Sequence, residues 1–130
     1  MDEFVIRLHH AKRAGTHHDL HLSTGGDYET WPLGVAYESW AVPKLVPTQI
    51  NKRVLAIKTA EHSPEGARFA GTIPNGQYGA GESEVADEGE MVMISSSPKH
   101  RFFQLRGNVY RGNYRLQHWK GNHWLLWRRP

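Results

Sequence analysis

Apolar and polar residues alternate along Phe4-Val5-Ile6-Arg7-Leu8-His9. An extended strand sends successive side chains to opposite faces, so Phe4, Ile6 and Leu8 share one side and Val5, Arg7 and His9 the other. The stretch His17-His18-Asp19-Leu20-His21-Leu22 has the same period. There His17, Asp19 and His21 share a face that Leu20 and Leu22 oppose. Two such strands side by side give an apolar face to a core and set histidines and a carboxylate on the reverse. Val54-Leu55-Ala56-Ile57-Lys58-Thr59 is apolar and β-branched, as strands prefer. Lys120-Gly121-Asn122 reads as the turn of a hairpin. Strands are expected near residues 4–9, 17–22, 36–42, 53–60, 82–95, 101–106, 113–119 and 123–128. Surface loops are expected at Gly25–Leu33 and Ser95–Lys99. No stretch sustains a helical period, and no repeat or domain boundary interrupts the chain. Many short strands between turn signals imply an all-β barrel or sandwich.

Composition narrows the class. A chain of 130 residues with 38% hydrophobic residues and five tryptophans can bury a modest core, which argues against disorder. With no cysteine, disulfides and thiolate metal sites are excluded. The same absence fits a cytoplasmic setting, and no apolar run approaches a membrane span or a signal-peptide core, so no membrane contact is expected. The net charge of +3 permits a polyanionic partner without demanding one. Nine histidines exceed what a chain of this size usually carries, and they crowd toward the N-terminus.

His9, His17 and Asp19 form a candidate divalent-metal site with open positions. The alternative is a set of surface histidines on a half-exposed sheet. His10 and His18 are out of phase with the set and belong to loops or the second face. Lys12 and Arg13, in the turn between the two strands, would suit phosphate, or could be a solvated basic turn. His62 follows the strand 53–60. The glycine-dense Ile73–Gly81 reads first as an irregular turn in which backbones approach closely, and second as a phosphate-gripping loop. Ser39-Trp40-Ala41-Val42-Pro43-Lys44 reads as a core-anchoring strand ending at proline, with Lys44 within reach of a phosphate. Arginines and tryptophans interleave toward the C-terminus, a mixture that suits nucleic acid and equally a barrel exterior.

These segments together resemble the 3′-phosphoesterase domain of the bacterial DNA ligase D proteins and its free-standing relatives. The matching pieces are Phe4-Val5-Ile6 with His9, Arg13, His17-His18-Asp19-Leu20 and Ser39-Trp40-Ala41-Val42-Pro43-Lys44. They continue with Lys52-Arg53-Val54-Leu55-Ala56, Glu61-His62 and Phe69-Ala70-Gly71-Thr72-Ile73-Pro74. Gln77-Tyr78-Gly79-Ala80-Gly81 and Trp124-Leu125-Leu126 complete them. The resemblance implies an all-β fold, a compact single-domain β-barrel of about eight strands with short helical turns at most, over residues 1–130. It implies a DNA-repair enzyme of non-homologous end joining that trims 3′ ends of primer-template DNA. Such an enzyme removes a terminal ribonucleoside and then the remaining 3′-phosphate. The implied cofactor is manganese, with zinc or cobalt compatible, held by His9, His17 and Asp19. His62 matches a histidine that contacts the scissile phosphate, and His21 would join it. Arg7, Lys12, Arg13 and Lys44 are the remaining cations for phosphate or DNA. A DNA ligase or other repair proteins are the implied partners.

The chain departs from the family in four places. His21 stands where the family keeps a phosphate-gripping arginine, which removes a permanent forked cation. Gly66 stands where the family has a tyrosine, so a hydroxyl donor is gone. The loop between the metal histidines is two residues longer. About nine residues are inserted before Ser39-Trp40, and few residues precede His9, leaving no room for the N-terminal arm that adds substrate contacts in the large ligases. The alternative expectation is therefore a catalytically weakened or inactive DNA-end-binding module on the same fold. A small barrel using its metal on a small molecule is a third.

Overall fold

The structure, a computed structural model, describes residues 2–23 and 36–130. Nine strands are present among them: β1 (Glu3–Ala11), β2 (Gly15–Leu22), β3 (Tyr37–Val42), β4 (Val54–His62), β5 (Gly71–Ile73), β6 (Gly81–Ser97), β7 (His100–Arg106), β8 (Arg111–Lys120) and β9 (His123–Arg129). One short helix, α1 (Pro64–Ala67), follows β4. Every pairing between strands is antiparallel, in the order β1-β2-β3-β4-β9-β8-β7-β6. β6 pairs back onto β1 and closes an eight-stranded barrel, which leaves no long open edge. The 17 residues of β6 allow this, because Gly81–Glu90 serve β1 and Glu90–Ser97 serve β7. Register shifts at Ile6/Arg7 and at Met93/Ser95 accompany the change of partner.

The barrel interior holds Phe4, Ile6, Leu20 and Leu22 of the faces that the alternation assigned to the core, while Leu8, on the same face as Phe4 and Ile6, is only half-buried. Phe4, Ile6, Leu20, Leu22, Trp40, Phe103, Leu105, Leu116 and Leu126 are buried there in one cluster. Trp40 and Trp124 meet edge to face with ring centroids 5.6 Å apart. His18, on the same side as Leu20, is buried and accepts the Val46 N–H at Nδ1, 2.9 Å away. Burial pushes its pKa down to about 4.

The reverse face of β1–β3 is also covered. Val5, Tyr37 and Ala67 form a second buried cluster, with Val85 packed against it. Ala67 comes from α1, whose N-cap Ser63 accepts the Gly66 N–H and whose first residue is Pro64. β5, absent from the expected strands, pairs with the first residues of β6. Ser95–Ser97, expected as loop, extend β6, because pairing with Phe102, Arg101 and His100 of β7 holds the serines in the ladder. The loop expected at Gly25–Leu33 lies outside the described residues. No helix among the described residues is long and apolar enough to cross a membrane.

Candidate metal and phosphate site

Strand register builds the site. His9 of β1 is the cross-strand partner of His17, and Arg7 is the partner of Asp19. His21 continues the row opposite Val5 and, on its other side, Ser39 of β3. His62, the last residue of β4, is the register partner of Tyr37. The side chains of His9, His17, Asp19, Arg7, His21, Ser39 and His62 therefore lie in one patch.

His9, His17 and Asp19 offer ligand atoms that all lie within 4.8 Å of one another. His9 Nδ1 is 3.3 Å from Asp19 Oδ2, and His17 Nε2 is 3.2 Å from Asp19 Oδ1. Ligands about 2.1 Å from one ion, at octahedral to tetrahedral angles, stand about 3.0 to 3.4 Å apart. The far nitrogens fix the tautomers. His9 Nε2 donates to the Gly79 carbonyl at 2.7 Å, and His17 Nδ1 donates to the Gly15 carbonyl at 3.1 Å. A carbonyl oxygen only accepts, so these nitrogens carry the protons. The other ring nitrogen of each histidine then faces a carboxylate oxygen, an arrangement that needs a proton or a metal cation between the two. The hydrogen bond to Asp19 raises the His17 pKa, with burial opposing it. Burial pushes the Asp19 carboxyl up, but the His17 hydrogen bond and the positive charge beside it, the Arg7 guanidinium included, outweigh it, and the net direction is down. The donor set fits a divalent ion of the manganese, zinc or cobalt type.

Arg7 is buried at the centre of the patch. Its Nη2 is 3.5 Å from Asp19 Oδ2, its Nη1 donates to Ser83 Oγ at 3.3 Å, and its Nε donates to His21 Nε2 at 3.0 Å. Because arginine only donates, His21 Nε2 accepts, and its Nδ1–H donates to Ser39 Oγ at 2.7 Å. Burial first, then Arg7 and His62, hold the His21 pKa well below its usual value. His21 is thus fully buried, neutral and engaged at both nitrogens.

Ser39 Oγ also lies 2.9 Å from His62 Nδ1 and donates toward the Tyr37 carbonyl at 3.2 Å. The His21 and His62 rings meet with centroids 4.7 Å apart. Burial, followed by the Arg7 charge, lowers the His62 pKa. A Cβ placed on Gly66 would stand 3.6 Å from His62 Cδ2, so position 66 looks onto His62.

The other expected cations lie outside this network. Lys12 is exposed, and its ammonium donates to Asn75 Oδ1 across to the glycine-rich loop. Arg13 and Lys44 are exposed and, among the described residues, make no ion pair with the patch. His10 is exposed and its Nδ1 lies 3.0 Å from Thr16 Oγ1. The glycine-rich segment is the irregular turn that its composition suggested. A Cβ on Gly81 would collide with the His10 carbonyl oxygen, and Gly79 has φ +77° against the His9 ring. Ser39 and Ser83 were not singled out as site residues. The signal for Ser39 was available, since it has the parity opposite to Trp40 and Val42.

Residues 7–118 match the model of the DNA ligase D 3′-phosphoesterase domain. The chain belongs to the DNA ligase D 3′-phosphoesterase domain family. It is 36% identical over 129 residues to the multifunctional non-homologous end joining DNA repair protein LigD of Mycobacterium tuberculosis, covering 96% of this chain and 16% of that protein. It is 34% identical over 138 residues to LigD of Mycolicibacterium smegmatis, covering 98% of this chain and 17% of the relative. LigD of Pseudomonas aeruginosa is 30% identical over 118 residues, covering 87% of this chain and 13% of its own length. The chain thus spans about a sixth of the mycobacterial relatives.

Proposed function

We propose that this domain is a divalent-metal-dependent phosphoesterase that trims DNA 3′ ends, removing a terminal ribonucleoside and the 3′-phosphate. The observation that carries this reading is the convergence of the His9 and His17 lone pairs on Asp19, with both tautomers held by backbone carbonyls. His9, His17 and Asp19 would hold the ion, manganese by the family resemblance. When bound, the ion supplies Lewis-acid stabilisation of a phosphate oxygen.

The chain's own groups do the rest. Arg7 sets a guanidinium beside Asp19, where it meets the charge of the phosphoryl group. His21 replaces the family's arginine as a neutral acceptor that holds Arg7 Nε, so it positions the cation and does not supply one. His62 is neutral in the free protein. An arriving phosphate anion favours its charged form, so His62 takes up a proton with the substrate and gives it to the oxygen that leaves as water bonds to phosphorus, the 5′ oxygen of the ribonucleoside in the first cut and the 3′ oxygen in the dephosphorylation.

The second reading, a weakened or inactive DNA-end-binding module, draws on His21 and Gly66. His21 has no free nitrogen for phosphate, and Gly66 has no hydroxyl. A 5′-labelled primer-template ending in a 3′-phosphate or a 3′-ribonucleotide, assayed with manganese, zinc, cobalt and chelator, separates the two. Metal-dependent shortening or dephosphorylation supports the enzyme. Salt-sensitive binding without product in any metal supports the module.

A further inference from the structure

Tyr78 is 99% exposed, more than any other large hydrophobic side chain among the described residues. Its backbone is nevertheless held. Gln77 N–H donates to the Pro74 carbonyl and Ala80 N–H to the Gln77 carbonyl. Lys12 N–H donates to the Ala80 carbonyl at 2.9 Å, and the Lys12 ammonium donates to Asn75. The next residue, Gly79, gives its carbonyl to His9 Nε2 at 2.7 Å. The bare, positive-φ glycine lets the chain press against the His9 ring, with a Cβ there only 3.3 Å from it. A rigid turn fastened to a proposed metal ligand thus carries one aromatic ring into solvent. The exposed cations Lys12 and Arg13 stand on the adjoining turn.

We propose that Tyr78 is the stacking platform for the terminal nucleobase of the DNA strand whose 3′ phosphate enters the His9, His17 and Asp19 site. This rests on the proposed function. A base and its 3′-phosphate are joined through a single sugar, so a base platform must lie close to the phosphate site. Tyr78 lies one residue from the carbonyl that holds His9. An aromatic face binds any base, since every base has a π-face, and flanking cations track the phosphates.

The test uses the full chain with manganese and a 5′-labelled primer-template ending in 3′-phosphate, with either a normal or an abasic terminal nucleotide. On the normal end, Tyr78→Ala is expected to raise KM about 5-fold to 150-fold, the range for one stacked base. The loss falls on KM more than on kcat, and Tyr78→Phe restores it. On the abasic end, wild type and Tyr78→Ala should have the same KM. An unchanged KM for Tyr78→Ala on the normal end, or an equal loss on both ends, overturns the inference. A parallel arm places 2-aminopurine at the terminal position and reads its fluorescence on binding. Quenching by wild type but not by Tyr78→Ala supports the platform even if no end is turned over, in which case the catalytic reading fails alone. No difference in quenching overturns the platform.

Discussion

His9 and His17 face each other across the β1–β2 pair with ring centroids 4.8 Å apart. Each spends its far nitrogen on a backbone carbonyl and turns the other toward a different oxygen of Asp19. An alanine at position 17 removes one of the two converging lone pairs. Loss of an outer-shell partner alone costs about 10-fold to 100-fold in metal affinity or activity, so loss of a ligand should cost more. His17→Ala is therefore expected to lose detectable 3′-phosphatase turnover while keeping the far-ultraviolet circular dichroism of the fold. Wild-type turnover by this variant would remove the site assignment.

Arg7 joins three groups that a lysine cannot join together. Its fork spans His21, Ser83 and Asp19. Arg7→Lys keeps the charge but not the fork. Turnover with saturating metal is expected to fall about 100-fold to 1,000-fold, the usual cost of one lost transition-state donor. Lysine activity within a few-fold of wild type would mean that charge alone matters at this position.

Gly66 offers a gain of function. A Cβ there meets Ser63 Oγ at 3.3 Å and His62 Cδ2 at 3.6 Å, and the backbone needs no left-handed conformation. Gly66→Tyr can therefore return a hydroxyl to the neighbourhood of His62. Steady-state kcat on a 3′-phosphate end should rise, by up to the about 100-fold that one donor supplies. An unchanged kcat in a folded Gly66→Tyr protein would show that this departure is not what limits the rate.

Stability carries its own pH signature through His18. Its Nδ1 accepts the Val46 N–H, and burial depresses its pKa to about 4. The unfolded chain then binds the proton more tightly than the folded one. The stability is present above the ordinary value near pH 6.5 and drains away as the pH falls toward about 4. The full shift corresponds to on the order of 3 kcal/mol. Urea unfolding of wild type and His18→Gln at pH 7.5 and pH 4.5 checks this. The wild type should lose more stability than the variant between the two values, and parallel losses would contradict it.

How far the chain could be read follows from how local each feature is. The two-residue period of Phe4–His9 and His17–Leu22 set the faces, and the antiparallel register of the folded chain then put His9 opposite His17. The other barrel strands were legible from β-branched runs such as Val54–Thr59 and from turn residues such as Lys120-Gly121-Asn122. β5 was not, because three residues, Gly71–Ile73, carry no period and are strand only through β6. Ser95–Ser97 look like loop until β7 pairs with them. The burial of Arg7 and His21 was hidden too, since their neighbours come from elements far along the chain, among them Ser83 and His62. Local alternation marks a face as polar and cannot tell whether a second layer lies over it. The chemistry of DNA ends came from the family motifs, not from any period.

The central claim is that His9, His17 and Asp19 hold one divalent ion. Titrating the metal-free protein with manganese, and reading free manganese by electron paramagnetic resonance, tests it most directly. The expected result is one ion bound per wild-type chain, with binding lost in His9→Ala and Asp19→Ala and retained in Lys44→Ala. No binding by wild type, or undiminished binding by the two site variants, would contradict it.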